Sequence, residues 1–434
     1  MLEEKKQKTN IGLVLLYLYV NYTFYAKSIP IYVQYVFFYG IMALYIVLKH
    51  NILIDLVKGL GKHRIRLFIT MGILGYLFAL SFLVPVFYGT YDFSYVRVFL
   101  RIFANSIGIV FLLFATHIHS KEECLTSAFF KYFSIATSLY VLSTIIMAVF
   151  PGFKQFWLSI IYQHASNEQF MYNITYDTRY GLMGFSGFWQ TYYCTTSCIM
   201  SLSLIIDQIY CKQKKSLLFF ITLVFSIVGN AFYGRVGLLC SIACILLACF
   251  YILFKLGKLK LLVFHSCLLV LLYVFAGRVR YLNDTFNRWY EWAMEPFITY
   301  ASDGSLGTVS SNYMISMMYF MPKMKTFFFG DGYFTDPYTG AYYMRTDVGF
   351  IRPILFYGVF AQALGYLIPI VLLIGASRLI KHTKSNYFLS VCCFLMFFQM
   401  VFFEFKGTVL VLTVAFALGI FLSAYIPEKE ASKA

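Results

Sequence analysis

Nine arginines form the clearest chemical pattern in this chain. When the gaps between its apolar segments are assigned alternately to two sides of a membrane, all nine fall on one side: Arg97, Arg101, Arg179, Arg235, Arg278, Arg280, Arg288, Arg345 and Arg352. The other side holds 21 of the 35 basic residues, and 18 of those 21 are lysine. Arginine carries a planar fork of N–H donors that suits phosphate and carboxylate, whereas lysine is a point charge. The arginine-rich side is therefore predicted to hold an anion.

Eight of these arginines are predicted to belong to a site. Placing an arginine at bilayer depth costs about 2.5–3.5 kcal/mol, and each hydrogen bond to a charged partner returns about 1.5–3 kcal/mol. A diphosphate that accepts several such bonds would offset the cost, although snorkelling or pairing with an acid is the more ordinary role of any one arginine. The predicted anion-binding residues are Arg235, at a short turn between two apolar segments, and Arg101, Arg179, Arg278, Arg280, Arg288, Arg345 and Arg352.

Asp347 is the acid predicted to act as general base. A transfer onto a hydroxyl group needs a base that takes its proton. Asp347 lies between Arg345 and Arg352 at the edge of an apolar segment. The alternative is that it caps the helix which follows. Three other acids of the same side are further candidates: Asp331, Glu291 and Glu295.

Several familiar chemistries do not match this sequence. His164 is the only histidine predicted on the arginine-rich side, so a zinc site or a serine–histidine pair in the long loop 277–349 is excluded. No Asp-x-Asp pair and no Walker-type glycine loop occurs. The pairs Cys194/Cys198 and Cys240/Cys244 are interpreted as small apolar filler rather than as metal ligands. We expect no metal and no cofactor, so the driving energy must come with the substrate or from a gradient.

The elements that position these residues are apolar segments of membrane-spanning length. The chain is 60% hydrophobic and 12% charged, with a mean hydropathy of +0.73. A spanning helix needs about 20 apolar residues, and backbone groups in lipid must be paired within the segment. We therefore predict an all-α polytopic membrane protein of 434 residues in a single membrane domain, with about twelve spans. They are approximately 11–26, 31–48, 67–88, 98–116, 129–150, 188–209, 216–231, 236–256, 259–276, 350–374, 386–403 and 408–425.

The lysine-rich gaps indicate the orientation of these spans. Lysine and arginine concentrate in cytoplasmic loops, which predicts that both termini are cytoplasmic and that the arginine-rich side faces outward. The net charge of +16 is then a consequence of topology and of contact with anionic lipid heads. It gives no reason to expect a nucleic acid. The N-terminal apolar stretch is interpreted as the first span rather than as a cleaved signal.

Two long outer segments are predicted, at 151–187 and 277–349. In the second, Asp284 is predicted to begin a short helix that turns Phe286, Trp289, Tyr290 and Ala293 to one side, and Ser310 or Ser311 to cap another. Both are interpreted as interfacial helices. Gly330-Asp331-Gly332 predicts a turn where backbone approaches a ligand closely. Aromatic side chains of this loop, including Trp289 and Trp292, suit stacking on sugars, although membrane anchoring is the commoner role.

Three stretches resemble the Wzy-type O-antigen polymerases, within the wider group of polysaccharide polymerases and O-antigen ligases. They are TRYGLMGF at 178–185, GNAFYGRVGLL at 229–239, in which Arg235 matches the arginine of the family's turn, and FFFGDGYF followed by TDVGFIRPILFYGVF at 346–360. The predicted topology agrees with that family over nearly the whole chain.

The resemblance implies a glycosyltransferase of the bacterial inner membrane. A growing glycan on undecaprenyl pyrophosphate would be transferred, on the periplasmic face, to the sugar of another lipid-linked repeat unit, without a metal. The lipid pyrophosphate would be both the group by which the protein binds the substrate and the leaving group. Arginines would neutralise its charge as it departs, with Arg235 at the reacting centre and Arg179, Arg278, Arg280 and Arg288 as the other residues to test. A chain-length regulator protein is a possible partner.

Three alternatives remain open. A lipid-linked oligosaccharide flippase or transporter has a similar number of spans, but short loops on both faces would be expected. An O-antigen ligase usually has a histidine in the large loop, which this chain lacks. A structural or assembly protein would not need its arginines to converge. Substitution of Arg235 or of Arg278 by alanine is predicted to abolish long glycan chains without loss of the protein from the membrane.

Overall fold

The protein is built almost entirely from α-helices. The computed structural model describes residues 9–120, 124–163, 179–210, 216–256, 277–278, 281, 284–304, 307–378 and 387–425. Within these ranges there are seventeen α-helices, and the only strands form one antiparallel hairpin of β1 (Tyr180–Gly181) and β2 (Gly184–Phe185). The all-α prediction is confirmed for the described residues.

A helix lies in each predicted span that the structure describes, except that two helices share the span 350–374. The first six are α1 (Ile11–Asn21), α2 (Ile31–Leu48), the short α3 (His50–Gly59), α4 (Arg64–Phe87), α5 (Val96–His119) and α6 (Leu125–Val149). After α7 (Pro151–Ile160) come α8 (Phe188–Tyr210), α9 (Leu217–Tyr233) and α10 (Arg235–Leu256). The long loop holds α11 (Asp284–Asp303), α12 (Val309–Tyr313) and α13 (Met324–Phe329). The last four are α14 (Arg352–Tyr357), α15 (Val359–Arg378), α16 (Tyr387–Glu404) and α17 (Leu410–Tyr425).

Five helical segments are long and apolar enough to cross a membrane by length and composition. Among the described residues they are Ile31–Leu48, Gly61–Phe87, Phe93–His119, Leu125–Val149 and Val359–Arg378. Five shorter apolar helices accompany them: Ile11–Asn21, Leu217–Tyr233, Arg235–Tyr251, Phe388–Glu404 and Leu410–Tyr425. These helices are compatible with a multi-pass membrane protein. The count of twelve spans stays a prediction, and the span at 259–276 lies outside the described residues.

The helix at the centre of the bundle, α8, is polar and buried. It packs against α6, α9, α10 and α16. Its buried polar side chains are Gln190, Thr191, Thr195, Thr196, Ser197, Ser201 and Ser203. They find partners on neighbouring helices: the Thr191 hydroxyl donates to Asn230 Oδ1 (3.1 Å), and Gln399 Nε2 donates to the backbone carbonyl of Tyr192 (3.0 Å). Buried polar groups cost free energy unless they are paired, so these bonds fix α8 against its neighbours.

Gaps that the sequence assigns to the same side contact one another. On the predicted outer side, Ala26 pairs with Ile161, and Thr90 Oγ1 donates to the Gly332 carbonyl (2.8 Å). On the predicted inner side, Asn10 Nδ2 donates to the His119 carbonyl (3.4 Å). These three contacts are compatible with the alternating assignment of the gaps to two sides.

The first outer segment contains structure that the sequence did not indicate. Residues 151–187 were predicted only as a loop, yet α7 begins directly after α6, with Pro151 at its first turn, and the β1–β2 hairpin follows near the end of the segment. Trp157 Nε1 on α7 donates to the Leu182 carbonyl in the hairpin (3.0 Å). This bond joins the two ends of the segment, and residues 164–178 between them lie outside the described residues.

The first helix of the long loop begins at Asp284 as predicted, but it extends to Asp303. The predicted apolar face is confirmed, because Phe286, Trp289, Tyr290 and Ala293 are all buried. The Trp289 ring stacks on Phe232 at the end of α9 (ring centroids 4.3 Å apart), and its Nε1 donates to the Ala231 carbonyl (2.7 Å). The face of α11 thus packs on the bundle.

The start of α12 differs from the prediction. Its cap is Thr308 rather than Ser310 or Ser311. The Thr308 side chain accepts from the Ser311 backbone N–H, while the Ser311 side chain accepts from the Thr308 backbone N–H. This reciprocal pair is a capping box. Thr308 is one turn ahead of Ser311, so Ser311 takes the third helical position instead of the cap.

The predicted span 350–374 is two helices, not one. Gly358 separates α14 from α15 with a positive φ of 84°, and Gly330 ends α13 with a φ of 75°. Each glycine lies against the backbone of the other's helix: Gly330 against Phe356, and Gly358 against Phe328. The backbone N–H of Asp331 donates to the Leu355 carbonyl (2.7 Å). The close approach that Gly330 was predicted to allow to a ligand is therefore made to α14.

Candidate functional site

Two predicted anion-binding arginines meet at one tryptophan. The guanidinium carbon of Arg179 lies 5.0 Å from the ring centroid of Trp292, and that of Arg235 lies 4.9 Å from the same centroid. Arg179 precedes the β1–β2 hairpin, Arg235 begins α10 and Trp292 is on α11, so three distant parts of the chain converge. A cation over an aromatic ring is attracted by the ring's quadrupole. The one ring is therefore a shared partner of both guanidinium groups.

The position of Arg235 is set by the tight turn between α9 and α10. The Thr191 hydroxyl of α8 lies 3.1 Å from the Gly234 carbonyl oxygen, to which it donates. A side chain at Gly234 would press on Thr191, and one at Gly237 would collide with Asn230. Because Gly234 and Gly237 have no side chains, α10 can begin in direct contact with α8 and α9. The turn that carries Arg235 is consequently rigid.

Glu295 completes this cluster, which we call the tryptophan clamp (Arg179, Arg235, Trp292 and Glu295). The carboxylate of Glu295 pairs with Arg235, and the two side chains are 30% and 16% exposed. Trp292 and Glu295 are three residues apart on α11 and so lie on one face of that helix. Two guanidinium groups and one carboxylate leave the clamp with a net positive charge. A net positive charge of this kind favours an anionic ligand.

The remaining predicted arginines are spread over the structure. Arg101 is exposed on α5, with its guanidinium carbon 5.9 Å from the Trp189 ring centroid. Arg278, Arg288 and Arg345 are exposed, and Arg345 has a positive φ of 57° beside the turn of Asp336. Arg280 lies outside the described residues. Among the described residues, no contact joins Arg101, Arg278 or Arg345 to the tryptophan clamp.

Arg352 occupies a second place on the predicted outer side. Its guanidinium carbon lies 3.8 Å from the Phe334 ring centroid and 4.1 Å from that of Tyr342. Its Nε is buried and has no hydrogen-bond partner among the described residues. Aromatic rings thus hold this arginine in place while its Nε–H stays without a hydrogen-bond partner among the described residues.

Asp347, the predicted base, lies near Arg352 but does not cap a helix. The position before α14 is Ile351, where no side chain caps the helix, so the capping alternative is wrong. One carboxylate oxygen of Asp347 faces Lys406 Nζ at 3.7 Å, and the other, Oδ1, is buried without a partner among the described residues. An oxygen in that condition is available to accept a proton or a hydrogen bond.

Asp92 joins the loop of Phe334 to the turn between α4 and α5. Its Oδ2 accepts from the backbone N–H groups of Phe334 and Thr335 (both 2.7 Å), and its Oδ1 accepts from Ser94. Burial on its own would raise the pKa of Asp92, but these hydrogen bonds to the charged form outweigh it and the pKa is lowered. The carboxylate is therefore a fixed anchor for one of the two rings that hold Arg352.

Two buried polar residues near Asp347 were missed by the sequence analysis as site candidates. Glu404, at the end of α16, is 0% exposed, and Gln362 on α15 is 5% exposed. The signal in the sequence was Glu404 itself, an acid next to an otherwise apolar segment, since ionisable residues at membrane depth are usually functional or paired.

No protein-family model matches the chain, and no curated protein matches it.

Proposed function

We propose that this protein is a polysaccharide polymerase of the bacterial inner membrane, which joins oligosaccharide repeat units carried on undecaprenyl pyrophosphate. In this proposal the chain has about twelve spans and cytoplasmic termini. The reaction takes place on the periplasmic face, without a metal. A lipid-linked glycan is the donor, a second lipid-linked repeat unit is the acceptor, and a chain-length regulator is a further partner.

The observation that carries the proposal is the tryptophan clamp. A diphosphate has several oxygens, and each charge-assisted hydrogen bond from a guanidinium group contributes about 1.5–3 kcal/mol. Arg179 and Arg235 both contact the ring of Trp292, so the two side chains are already positioned before a ligand binds. Preorganised positive charge is most effective where negative charge develops during reaction. A departing lipid diphosphate has that property.

The proposed step transfers a glycosyl group. A hydroxyl oxygen of the acceptor sugar attacks the anomeric carbon of the donor, and its proton passes to Asp347. The bond between the anomeric carbon and the pyrophosphate oxygen breaks, and the electron pair leaves with the diphosphate. Arg235 and Arg179 stabilise the charge that develops on the diphosphate. Asp347 suits the role of base because its Oδ1 is unpartnered among the described residues.

Deletion of the gene tests the class of function. Loss of the glycan ladder on a gel, with a single repeat unit retained, is the expected result. Loss of all capped glycan would instead indicate a flippase or a ligase and would overturn the proposal. Complementation with Arg235→Ala should fail to restore the ladder, and Arg235→Lys should restore it poorly because a point charge lacks the bidentate fork. Arg64→Ala, which removes an exposed arginine at the opposite end of the bundle, is the matched control.

A further inference from the structure

Unpartnered polar atoms gather around Asp347. Six buried side-chain nitrogen or oxygen atoms lack a hydrogen-bond partner within the described ranges, and four of them lie near the ends of α14, α15 and α16: Asp347 Oδ1, Arg352 Nε, Gln362 Oε1 and Thr408 Oγ1. Burying one such group without a partner costs about 1–3 kcal/mol. Native proteins contain few of them, so four in one region call for a functional explanation.

Hydrogen bonds and close contacts connect Gln362 and the segment of Thr408 through Glu404, and Arg352 interacts electrostatically with Asp347. Gln362 Nε2 donates to the Tyr366 hydroxyl, which donates to Glu404 Oε2 (both 2.9 Å). Glu404 Oε1 accepts from the backbone N–H of Val409, next to Thr408 (2.8 Å). Gly349 lies directly against the Glu404 carboxylate, two residues from Asp347. Asp347 and Lys406, which are 28% and 35% exposed, form the accessible edge of the cluster.

The hydrogen-bonding capacity of the unpartnered atoms selects the kind of ligand. Asp347 Oδ1 and Gln362 Oε1 accept, Thr408 Oγ1 both accepts and donates, and Arg352 Nε donates. A phosphate has only acceptor oxygens to offer, and it would lie beside the carboxylates of Asp347 and Glu404. A sugar ring carries hydroxyl groups that donate and accept.

We propose that Asp347, Arg352, Gln362 and Thr408 form a pocket for the hydroxyl groups of the acceptor sugar, separate from the diphosphate-binding clamp at Trp292. This inference rests on the proposed polymerase function and specifies which part of the acceptor is recognised, and where. Glu404 and Tyr366 act as positioning residues, because they hold Gln362 and the segment of Thr408. Asp347 is then both a ligand of the acceptor and the base for its hydroxyl.

Binding of two separated halves of the substrate tests the inference. The first probe is the repeat-unit oligosaccharide coupled to a neutral octyl group, which carries no phosphate. The second is undecaprenyl diphosphate, which carries no sugar. Gln362→Leu and Thr408→Val should each weaken binding of the octyl glycoside about tenfold, the effect of about one net hydrogen bond. Both variants should leave binding of undecaprenyl diphosphate unchanged. Arg235→Ala should weaken binding of undecaprenyl diphosphate and leave binding of the octyl glycoside unchanged.

The possible failures are distinguishable. Unchanged octyl-glycoside affinity in both Gln362→Leu and Thr408→Val would overturn the acceptor pocket while leaving the clamp intact. Unchanged undecaprenyl-diphosphate affinity in Arg235→Ala would overturn the proposed function itself. Thr408→Val keeps the shape of the side chain, so this variant still tests the pocket if Gln362→Leu does not fold. Thr339→Val, in the exposed turn of residues 336–340, is the matched control for loss of a hydroxyl.

Discussion

Arg179 and Arg235 are 56 positions apart in the chain, yet both guanidinium groups lie within 5.0 Å of the centroid of one indole ring. Like charges repel each other, so bringing two guanidinium groups to one ring needs an attractive partner. Trp292 attracts both guanidinium groups through its ring, and Glu295 pairs with Arg235. The clamp keeps a net positive charge, and each of its members can be tested separately.

Removal of the indole should disperse the two arginines. Trp292→Ala is expected to lower the initial rate of polymer formation in membrane vesicles by about tenfold or more, since each cation–π contact contributes about 0.5–2 kcal/mol. Trp292→Phe keeps a smaller ring and should retain part of the rate. Phe297→Ala removes a half-exposed aromatic side chain from the same helix and should have no effect. Equal losses in Trp292→Ala and Phe297→Ala would rule out a specific role of the clamp.

Neutralisation of Glu295 should strengthen anion binding. The Glu295 carboxylate occupies Arg235 and competes with any diphosphate for its N–H donors. Glu295→Gln is therefore expected to increase the affinity for undecaprenyl diphosphate several-fold, measured by titration of the purified protein. Glu291→Gln is the matched control, because Glu291 lies one turn earlier on α11 and accepts from Asn287 Nδ2 (3.0 Å). A lower affinity in Glu295→Gln would contradict this account of the site.

The paired glycines at the ends of α13 and α14 should tolerate no side chain. Gly358→Ala and Gly330→Ala place a methyl group against the backbone of Phe328 and Phe356, in addition to a strain of about 1–2 kcal/mol from the left-handed conformation. Gly340→Ala has a similar φ of 67° but open space around it, so it measures the strain alone. We expect a clearly larger fall in thermal midpoint for the first two variants. Equal midpoints in all three would show that α13 and α14 do not pack in this way.

The anchor at Asp92 should depend on pH. The folded-state pKa of Asp92 is lowered from its ordinary value of 3.8, so its contribution to stability is present above pH 3.8 and is lost as the pH falls through the lowered pKa. Hydrogen exchange at Phe334 and Thr335, corrected for intrinsic rates, should rise in that acidic range. Asp92→Asn should raise the exchange already at neutral pH and remove the pH dependence.

A local control separates this effect from general acid unfolding. The pKa of Asp336 is also lowered, first by the backbone N–H of Thr339, and the Asp336 carboxylate accepts hydrogen bonds from Tyr338 and Thr339 in its own exposed turn. Asp336→Asn should therefore leave exchange at Phe334 unchanged. If exchange in Asp92→Asn still follows pH as in the unaltered protein, another group anchors the loop.

Local patterns allowed much of the helical structure to be predicted. The apolar face of α11 followed from residue spacing, and Phe286, Trp289, Tyr290 and Ala293 are indeed buried. The break at Gly358 did not follow, because its φ of 84° is required only by the approach of α13, which precedes it by about 30 positions in sequence. A glycine in an apolar segment is by itself compatible with a continuous membrane helix. The helix break at Gly358 is therefore determined by a contact between distant segments and not by local helix propensity.

Which residues come together at the site was harder to predict than which arginines are candidates. The arginines were identified by type, but only Arg179 and Arg235 share a partner in the described structure, through Trp292. Trp292 had been interpreted as a sugar-stacking or anchoring residue. Its spacing of three from Glu295 was a readable sign that both face the same way. Gln362 gave no comparable signal, because its importance depends on Tyr366 and Glu404 in the folded protein.

The hydroxyl-rich α8 has a consequence for how the protein enters the bilayer. A segment with so many Ser, Thr and Gln side chains gains little from lipid by itself. Several of its hydroxyl groups are paired by α9, α16 and α17, such as the Tyr192 hydroxyl that meets the Thr413 hydroxyl (2.9 Å). Because α16 and α17 follow α8 in the chain, we expect α8 to gain these partners only after both helices have been synthesised.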